Sequence, residues 1–131
     1  MIQSSFFRKT FFLTIVFLTS LIAPAQAQSW NCRNDLEIRC SSDSCVQSKS
    51  FTPMDISFDD SGSISICAYT GCWEGSGKVS TSQNFTVITG RDLPFSSDPS
   101  NTNNVVVAID TNDNVAVMKA APFAHPFICK K

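Results

Sequence analysis

The sequence predicts a small all-β domain, an antiparallel barrel or sandwich of about six to seven short strands stapled by disulfides. Three observations predict it. Short runs of alternating apolar and polar residues recur, turn residues separate them, and all six cysteines fall after residue 27. Alternation with period two is typical of half-buried strands, and closing a sheet removes its exposed edges, which favours a barrel.

The most regular strand lies in the stretch ISICAYTGCWEGSGK, residues 64–78. Ile64 and Ile66 alternate with serines, so the pattern predicts a strand over about residues 63–70. The stretch then runs through Trp73 into a glycine-rich end. We expect the backbone to be looser there, because glycine has the widest conformational freedom.

Turn residues between apolar runs predict a series of hairpins, because Asp, Asn and Gly accept the backbone angles of a tight reversal. The predicted turns lie at residues 60–62, 81–84 and 110–114. A short strand at 126–129 ends the chain, and the mature sequence shows no helical periodicity. Residues 90–103 are rich in Pro, Ser and Asn. They predict a long loop, which in compact domains is often functional.

The first 27 residues have the pattern of a signal peptide. A basic pair at residues 8–9 precedes an apolar run at residues 11–23, and AQA at residues 25–27 is a small-x-small cleavage signal. The apolar run is short for a membrane span of about 20 residues, and no basic cluster follows it. We expect cleavage near Ala27, no membrane span afterwards, and one secreted or periplasmic domain at residues 28–131.

The charge of the mature chain argues against nucleic-acid binding. Removing Arg8 and Lys9 lowers the basic count from 10 to 8 against 11 acidic residues, so the net charge moves from −1 to −3. Binding to nucleic acid depends on neutralising phosphates with clustered Lys and Arg, and the chain has no such cluster. The partner we expect is a protein or another component of the cell envelope, whose identity the sequence leaves open.

An even number of cysteines in an exported chain predicts three disulfides. In an extended strand Cys67 and Cys72 would lie about 16 Å apart, at roughly 3.3 Å per residue. A disulfide needs Cα atoms within roughly 7 Å, so these two can pair only if the chain turns between them. We expect Cys32 to pair with Cys129, joining the ends of the domain. The expected partners of Cys40 and Cys45 are Cys67 and Cys72.

Three chemical motifs can be weighed, and none is complete. The cysteine spacing is CxxxxC rather than CxxC and one histidine is present, so we expect no metal site and no cofactor. GCWEGSGKV at residues 71–79 departs from the phosphate-binding loop at two positions. Residues 110–114 offer oxygen ligands but lack the glycine and glutamate of an EF-hand, and we interpret them as a turn.

Two residues are candidates for catalysis. His125 is the only histidine and lies between Phe123 and Phe127, a setting more typical of a packed side chain than of a catalytic one. Glu74 follows Trp73, and carboxyl groups beside tryptophan act as acids in some glycosidases. Neither residue has an identifiable catalytic partner, and no GxSxG elbow is present. We therefore expect no catalytic residue.

The candidate binding site is a rim of aromatic and charged residues from the glycine-rich end and the predicted long loop. Trp, Tyr and Arg are typical anchors of interfaces. The alternative is that the apolar members fold back onto the core. The residues of this predicted rim are Trp73, Glu74, Ser76, Lys78, Arg91, Leu93 and Phe95.

The cysteine-rich start, the stretch CAYTGCWEG at residues 67–75 and the final strand with its cysteine resemble small exported proteins of Gram-negative bacteria that carry no assigned activity. This resemblance covers most of the mature chain and implies a fold type and a compartment. In size and β-content the chain is also similar to periplasmic inhibitors of c-type lysozyme. In those inhibitors a Ser-Gly-rich loop and a nearby Lys enter the enzyme cleft, and Ser76, Gly77 and Lys78 are a partial counterpart.

Three functional hypotheses follow. The first is a non-enzymatic binding or envelope module that presents residues 73–78 and 91–95 to a partner. The second is an inhibitor of a cell-wall hydrolase, as the similarity to lysozyme inhibitors implies. The third is a small secreted hydrolase that uses Glu74 or His125. The sequence favours the first, because no catalytic constellation can be assembled from its motifs.

Overall fold

The computed structural model describes residues 27–131, so the predicted signal peptide lies outside the described residues except for Ala27. The described chain forms ten strands and no helix. It accordingly contains no helix that is long and apolar enough to cross a membrane. The strands are β1 (Ser29–Arg33), β2 (Ile38–Cys40), β3 (Cys45–Gln47), β4 (Asp55–Asp59), β5 (Ser63–Ala68), β6 (Gly71–Ser82), β7 (Phe85–Phe95), β8 (Asp98–Asp110), β9 (Val115–Ala120) and β10 (Phe123–Lys130).

Eight of these strands close into an antiparallel barrel. Their order is β1-β4-β5-β6-β7-β8-β9-β10, and β1 pairs with β10 to complete the ring. The two short strands β2 and β3 form a hairpin that joins the start of β10 outside the ring. The predicted all-β antiparallel barrel is thus confirmed, with more strands than the six to seven expected.

Polar turn residues hold the hairpins where the sequence predicts them. Between β4 and β5, the Asp59 carboxylate accepts hydrogen bonds from the backbone N–H of Ser61 and of Ser63, at 2.9 and 3.1 Å. Gly62 completes this turn with a φ of +96°, a backbone conformation that glycine adopts without strain. Turns also lie between β6 and β7 and between β8 and β9, as predicted.

The barrel interior is filled by the inward-facing residues of the alternating strands. Ile56 on β4 lies opposite Ile66 on β5, and both are almost fully buried. Trp30 stacks on Phe58, with ring centroids 5.3 Å apart. The interior is therefore a packed core rather than a ligand cavity, which leaves the outer surface of the barrel for recognition.

One of the predicted disulfides is confirmed and the other two pairings are wrong. Cys32 is bonded to Cys129, and this bond links β1 to β10 where the barrel closes. The remaining bonds are Cys40–Cys45 and Cys67–Cys72, each within one hairpin. No cysteine is free.

The two pairings are wrong because the chain turns at a place where the sequence has no typical turn residues. The chain reverses at residues 69–70, so Cys67 and Cys72 become register partners with Cα atoms 4.0 Å apart. The two residues at the turn are Tyr69 and Thr70, neither of which is a typical turn former. The predicted strand at residues 63–70 therefore runs into this turn, and the turn is the condition under which Cys67 and Cys72 can pair.

The predicted long loop at residues 90–103 is also wrong. These residues form the end of β7 and the start of β8, which are joined by a tight turn at residues 96–97. Leu93 pairs with Asn103 in register, and shifts on either side of this pairing mark bulges. Bulges and the exposed outer side tolerate prolines and polar residues, so composition alone suggested a loop.

Candidate functional site

The apolar members of the predicted rim are buried or half-buried. Leu93 belongs to the barrel core and Phe95 is buried further along the same strand, and the two are 2% and 8% exposed. Trp73 is half-buried and packs against Phe95, with ring centroids 4.7 Å apart. Its indole nitrogen is buried and has no hydrogen-bond partner among the described residues. These three side chains therefore support the wall of the barrel rather than offer an anchor to a partner.

The polar members of the predicted rim are exposed, and most of them lie together. Ser76, Lys78 and Arg91 surround one shallow pocket of about 270 Å³ between β6 and β7. Lys78 is brought to this place by its pairing with Thr89. Glu74 lies further along β6, where its carboxylate accepts a hydrogen bond of 2.9 Å from the Ser65 hydroxyl.

Close backbone packing fixes the strand that carries Ser76 and Lys78. The N–H of Gly77 donates to the carbonyl oxygen of Gly62 at 2.7 Å. A Cβ atom on Gly62 would lie 2.4 Å from the carbonyl oxygen of Gly77, so a larger residue has no room there. The glycine-rich end is thus a site of close approach rather than a loose segment, contrary to expectation.

The cations at this pocket have no anionic partner in the described part of the chain. The ion pairs found there are Arg33 with Asp55 and Arg39 with Glu37. Lys78 and Arg91 belong to neither. Two cationic groups on the same small pocket repel each other and attract an anion from outside.

A second feature, which the sequence interpretation missed, is an apolar outer surface on β7, β8, β9 and β10. Residues on these strands line up across the sheet in three rows whose side chains point outward. Nine of them are apolar, and we call this surface the apolar face. Its residues are Phe85, Val87, Val106, Ala108, Val115, Val117, Ala124, Pro126 and Ile128.

The apolar face is well exposed. Val117 is 55% exposed and Ile128 is 60% exposed. A groove of about 370 Å³ runs over the face and is bordered by Ile38 of the β2–β3 hairpin and by Lys119. Scattered apolar residues on a surface are normal, but a contiguous patch of this kind marks an interaction site.

Charged residues of opposite sign flank the middle of the apolar face. Its central row runs Val87, Ala108, Val117 and Pro126. Lys119 lies in the row on one side, where its ammonium group donates to the carbonyl oxygen of Ala121.

Asp110 lies in the row on the other side of the centre. Its carboxylate accepts hydrogen bonds from the Asn84 amide and the backbone N–H of Asn112, at 2.6 and 3.0 Å. The face therefore has a basic and an acidic end.

The two candidate catalytic residues lie in different environments. Glu74 is exposed, whereas His125 is 1% exposed and lies between the rings of Phe123 and Phe127. The backbone N–H of Ile38 donates to Nδ1 of His125 at 3.2 Å. Its Nε2 is buried without a hydrogen-bond partner among the described residues, and burial lowers the pKa of the imidazole below its usual value.

Glu37 is the other buried titratable residue near β10. Arg39 donates to its carboxylate at 2.6 Å, and the backbone N–H of Thr52 donates at 3.1 Å. Burial alone would raise the pKa of Glu37, but these hydrogen bonds outweigh it and hold the pKa below its usual value. The carboxylate thus fixes the β2–β3 hairpin and the segment before β4.

The sulfur atoms of Cys67 and Cys72 lie close to the Glu74 carboxylate, in an arrangement that superficially suggests metal ligands. Both cysteines are bonded to each other. Metal binding by cysteine requires a free thiolate, so this cluster does not fit a metal ion.

The signal for the apolar face was present in the sequence. Residues 105–109 and 115–118 are unbroken apolar runs, VVVAI and VAVM, whereas β4 and β5 alternate strictly. An unbroken run means that both faces of a strand are apolar. The predicted hairpin accounted for the turn between the runs but left the second apolar face unexplained.

Comparison of the chain with protein-family models, curated proteins and solved structures finds no match.

Proposed function

We propose that the mature domain is a secreted or periplasmic, non-catalytic binding module that holds an anionic group of an envelope or extracellular partner between Lys78 and Arg91. The observation that carries the proposal is the pocket between β6 and β7, where both cations stand without an anionic partner in the described residues. The mature chain has a net charge of −3, so two neighbouring cations form a locally positive site on an acidic protein, and such a site attracts anions.

The compartment is supported by the sulfur chemistry. Three disulfides and no free cysteine fit a protein that matures in an oxidising environment. The non-catalytic role is supported by the separation of the candidate catalytic groups. The His125 ring is inside the barrel, and Glu74 is hydrogen-bonded to Ser65 on the outside. A hydrolase would need such groups to converge on one substrate.

The direct test is retention of anionic partners by the immobilised, oxidised protein. Envelope extract and an acidic probe, poly-glutamate, are passed over the wild type and over the double variant Lys78→Glu with Arg91→Glu. We expect the double variant to lose at least 10-fold in retention, since two attractive charges become repulsive. The wild type should lose retention as salt is raised, because exposed charges are screened.

A matched control carries the same charge change elsewhere on the surface. Lys49→Glu with Lys130→Glu alters two exposed lysines that do not line the pocket. This control should retain partners as the wild type does. Equal loss in both double variants would show that net charge alone matters and would overturn the proposal, as would a wild type that retains nothing.

Inhibition of a cell-wall hydrolase is a second candidate, favoured by one specific observation. Ser76, Gly77 and Lys78 are consecutive on an irregular part of β6 and line the same pocket as Arg91. Glycosidase clefts hold a pair of carboxylates, which a cationic side chain can engage. Titration of c-type lysozyme with the purified domain should reduce its activity, and Lys78→Ala should weaken inhibition by about 10-fold. Full lysozyme activity at excess domain removes this candidate.

A further inference from the structure

The apolar face is larger and more continuous than the folding of the barrel requires. Every residue of the face points away from the core, which is filled by the opposite sides of the same strands. Four neighbouring strands contribute, and their register aligns the outward side chains into rows. Apolar surface that contributes nothing to the core and remains exposed to water is a disadvantage unless something covers it.

The dimensions of the face fit another sheet of the same kind. Four strands spaced by about 4.8 Å, each spanning about five residues at roughly 3.3 Å per residue, give a face of roughly 19 by 17 Å. The projected area of two such faces is roughly 650 Å². Their accessible surface area is larger, because side chains protrude from the sheet and Ile38 flanks it, and it approaches the ~1,000 Å² at which specific interfaces begin. This size predicts a reversible dimer of modest affinity rather than a permanent one.

The charges on the face are complementary to those of a second copy. Lys119 lies in the row on one side of the central row, and Asp110 lies in the row on the other side. A two-fold axis that lies between two stacked sheets, perpendicular to the strands and along the central row, exchanges these flanking rows. Lys119 of each copy is then placed over the row that contains Asp110 of its partner. An isologous interface requires this kind of self-complementarity.

We propose that two copies of this chain associate through the apolar face, with their sheets stacked and their strands roughly antiparallel. The central rows of Val87, Ala108, Val117 and Pro126 form the dry middle of the interface. Two symmetric contacts between Lys119 and Asp110 fix the orientation. The groove beside Ile38 receives side chains of the other copy, since it is apolar and open to the outside.

A second copy fits better than an anionic amphiphile. Lys119 would attract an anionic head group, but Asp110 at the other end would repel it, and the groove is open to the outside rather than an enclosed channel. A face with opposite charges at its two ends is satisfied by the same face turned end for end.

The test is the concentration dependence of mass for the oxidised protein purified after export. Sedimentation equilibrium of the wild type from low to high micromolar concentration should show the mass rise from that of a monomer to twice that value. Val117→Lys places a charge at the centre of the apolar face and should remain monomeric throughout. Ser57→Lys introduces the same charged side chain at an exposed position on β4, and this variant should associate as the wild type does.

Two further measurements keep the test independent of any single variant. Raising the salt concentration should weaken association of the wild type, because it screens Lys119 from Asp110 of the other copy. Lys119→Glu should weaken association at least 10-fold and reverse this salt dependence, because salt then screens a repulsion. In the unmodified protein, backbone NMR shifts of β8, β9 and β10 should change with concentration, whereas those of β4 and β5 should not.

The proposal is overturned by a wild type that stays monomeric at the highest concentration. It is also overturned by a folded Val117→Lys variant that dimerises, or by a monomer that takes up anionic detergent micelles through the same strands. None of these outcomes bears on the pocket of Lys78 and Arg91. Retention of anionic partners by Val117→Lys would separate the two surfaces directly.

Discussion

Opposite sides of this barrel use the same strand geometry with different outward residues. On β4 and β5 the outward positions are serines, aspartates and a disulfide-bonded cysteine, while isoleucine and phenylalanine point inward. On the second half of β8 (residues 105–110), on β9 and on β10 the outward positions are mostly apolar.

The two sides also differ in their buried residues. The buried histidine, His125, lies on β10, and the buried carboxylate, Glu37, lies next to the hairpin that pairs with β10. The inward residues of β4 and β5 are all apolar. One side therefore has the polarity that folding alone requires, and the other departs from it on both faces, which points to selection for something besides folding.

The largest expected effect concerns the bond that joins the two sides. Cys32–Cys129 spans 97 residues, whereas Cys67–Cys72 spans 5 and lies within one hairpin. In the loop-entropy description, removing the long closure with Cys32→Ala and Cys129→Ala lowers the free energy of unfolding by about 5 kcal/mol. Removing the short one with Cys67→Ala and Cys72→Ala lowers it by about 2 kcal/mol.

Guanidinium denaturation of the two double variants, each with its other disulfides intact, measures this difference. Cys40→Ala with Cys45→Ala serves as a control, because it removes a second closure of 5 residues. Its effect should match that of the Cys67–Cys72 pair. Equal destabilisation by the long and short closures would mean that the joint between β1 and β10 contributes no more than a local hairpin tie.

The next largest effect is the difference in stability lost when a buried or an exposed isoleucine of the apolar strands is truncated. Ile109 is fully buried, and Ile128 is 60% exposed on the apolar face. Ile109→Ala should destabilise the domain by about 2–5 kcal/mol through lost burial and a cavity. Ile128→Ala should change the stability of the monomer by less than about 0.5 kcal/mol. Urea denaturation at low protein concentration measures both, and a large loss for Ile128→Ala would mean that the face belongs to the core.

The same comparison shows what the sequence could and could not predict. Strict alternation in β4 and β5, the turns at 60–62 and 110–114, and the Cys32–Cys129 bond were all predictable from local pattern and the need to join the ends. The reversal at Tyr69 and Thr70 was not, because it is imposed by the pairing of β5 with β6 and by the disulfide across it. Tertiary pairing overrides weak local turn preference.

Composition misled the interpretation at residues 90–103 for a related reason. Pro, Ser and Asn suggested a loop, but Leu93 and Phe95 keep the inward alternation of a strand, and the arm formed by β7 and β8 is anchored to β6. The backbone N–H of Ser96 donates to the carbonyl oxygen of Cys72 at 2.8 Å. The pocket of Ser76, Lys78 and Arg91 exists because this arm is a strand, so three residues of the predicted rim come together for a reason that the sequence did not reveal.

The smallest expected effect is a pH dependence that belongs to the apolar side alone. Burial lowers the pKa of His125 below its usual value of 6.5. Below about pH 6.5 the unfolded chain therefore binds a proton that the folded chain does not, and stability falls as the pH drops towards the folded pKa. The contribution of Glu37 is fully present above its unfolded pKa of 4.5 and is lost only at lower pH, as the pH falls through the folded pKa.

His125→Asn isolates this contribution, because the Asn side-chain oxygen can still accept the hydrogen bond from the N–H of Ile38. The variant should be less stable overall, yet its stability should change little between about pH 7 and pH 5, where the wild type declines. Urea midpoints across this range give the two slopes. Asp55→Asn on the polar side should keep the slope of the wild type, since Asp55 has its pKa lowered by Arg33 from an already acidic value. His125 is the only histidine, so an unchanged slope in His125→Asn would mean that its imidazole takes up a proton at the same pH in the folded and the unfolded chain.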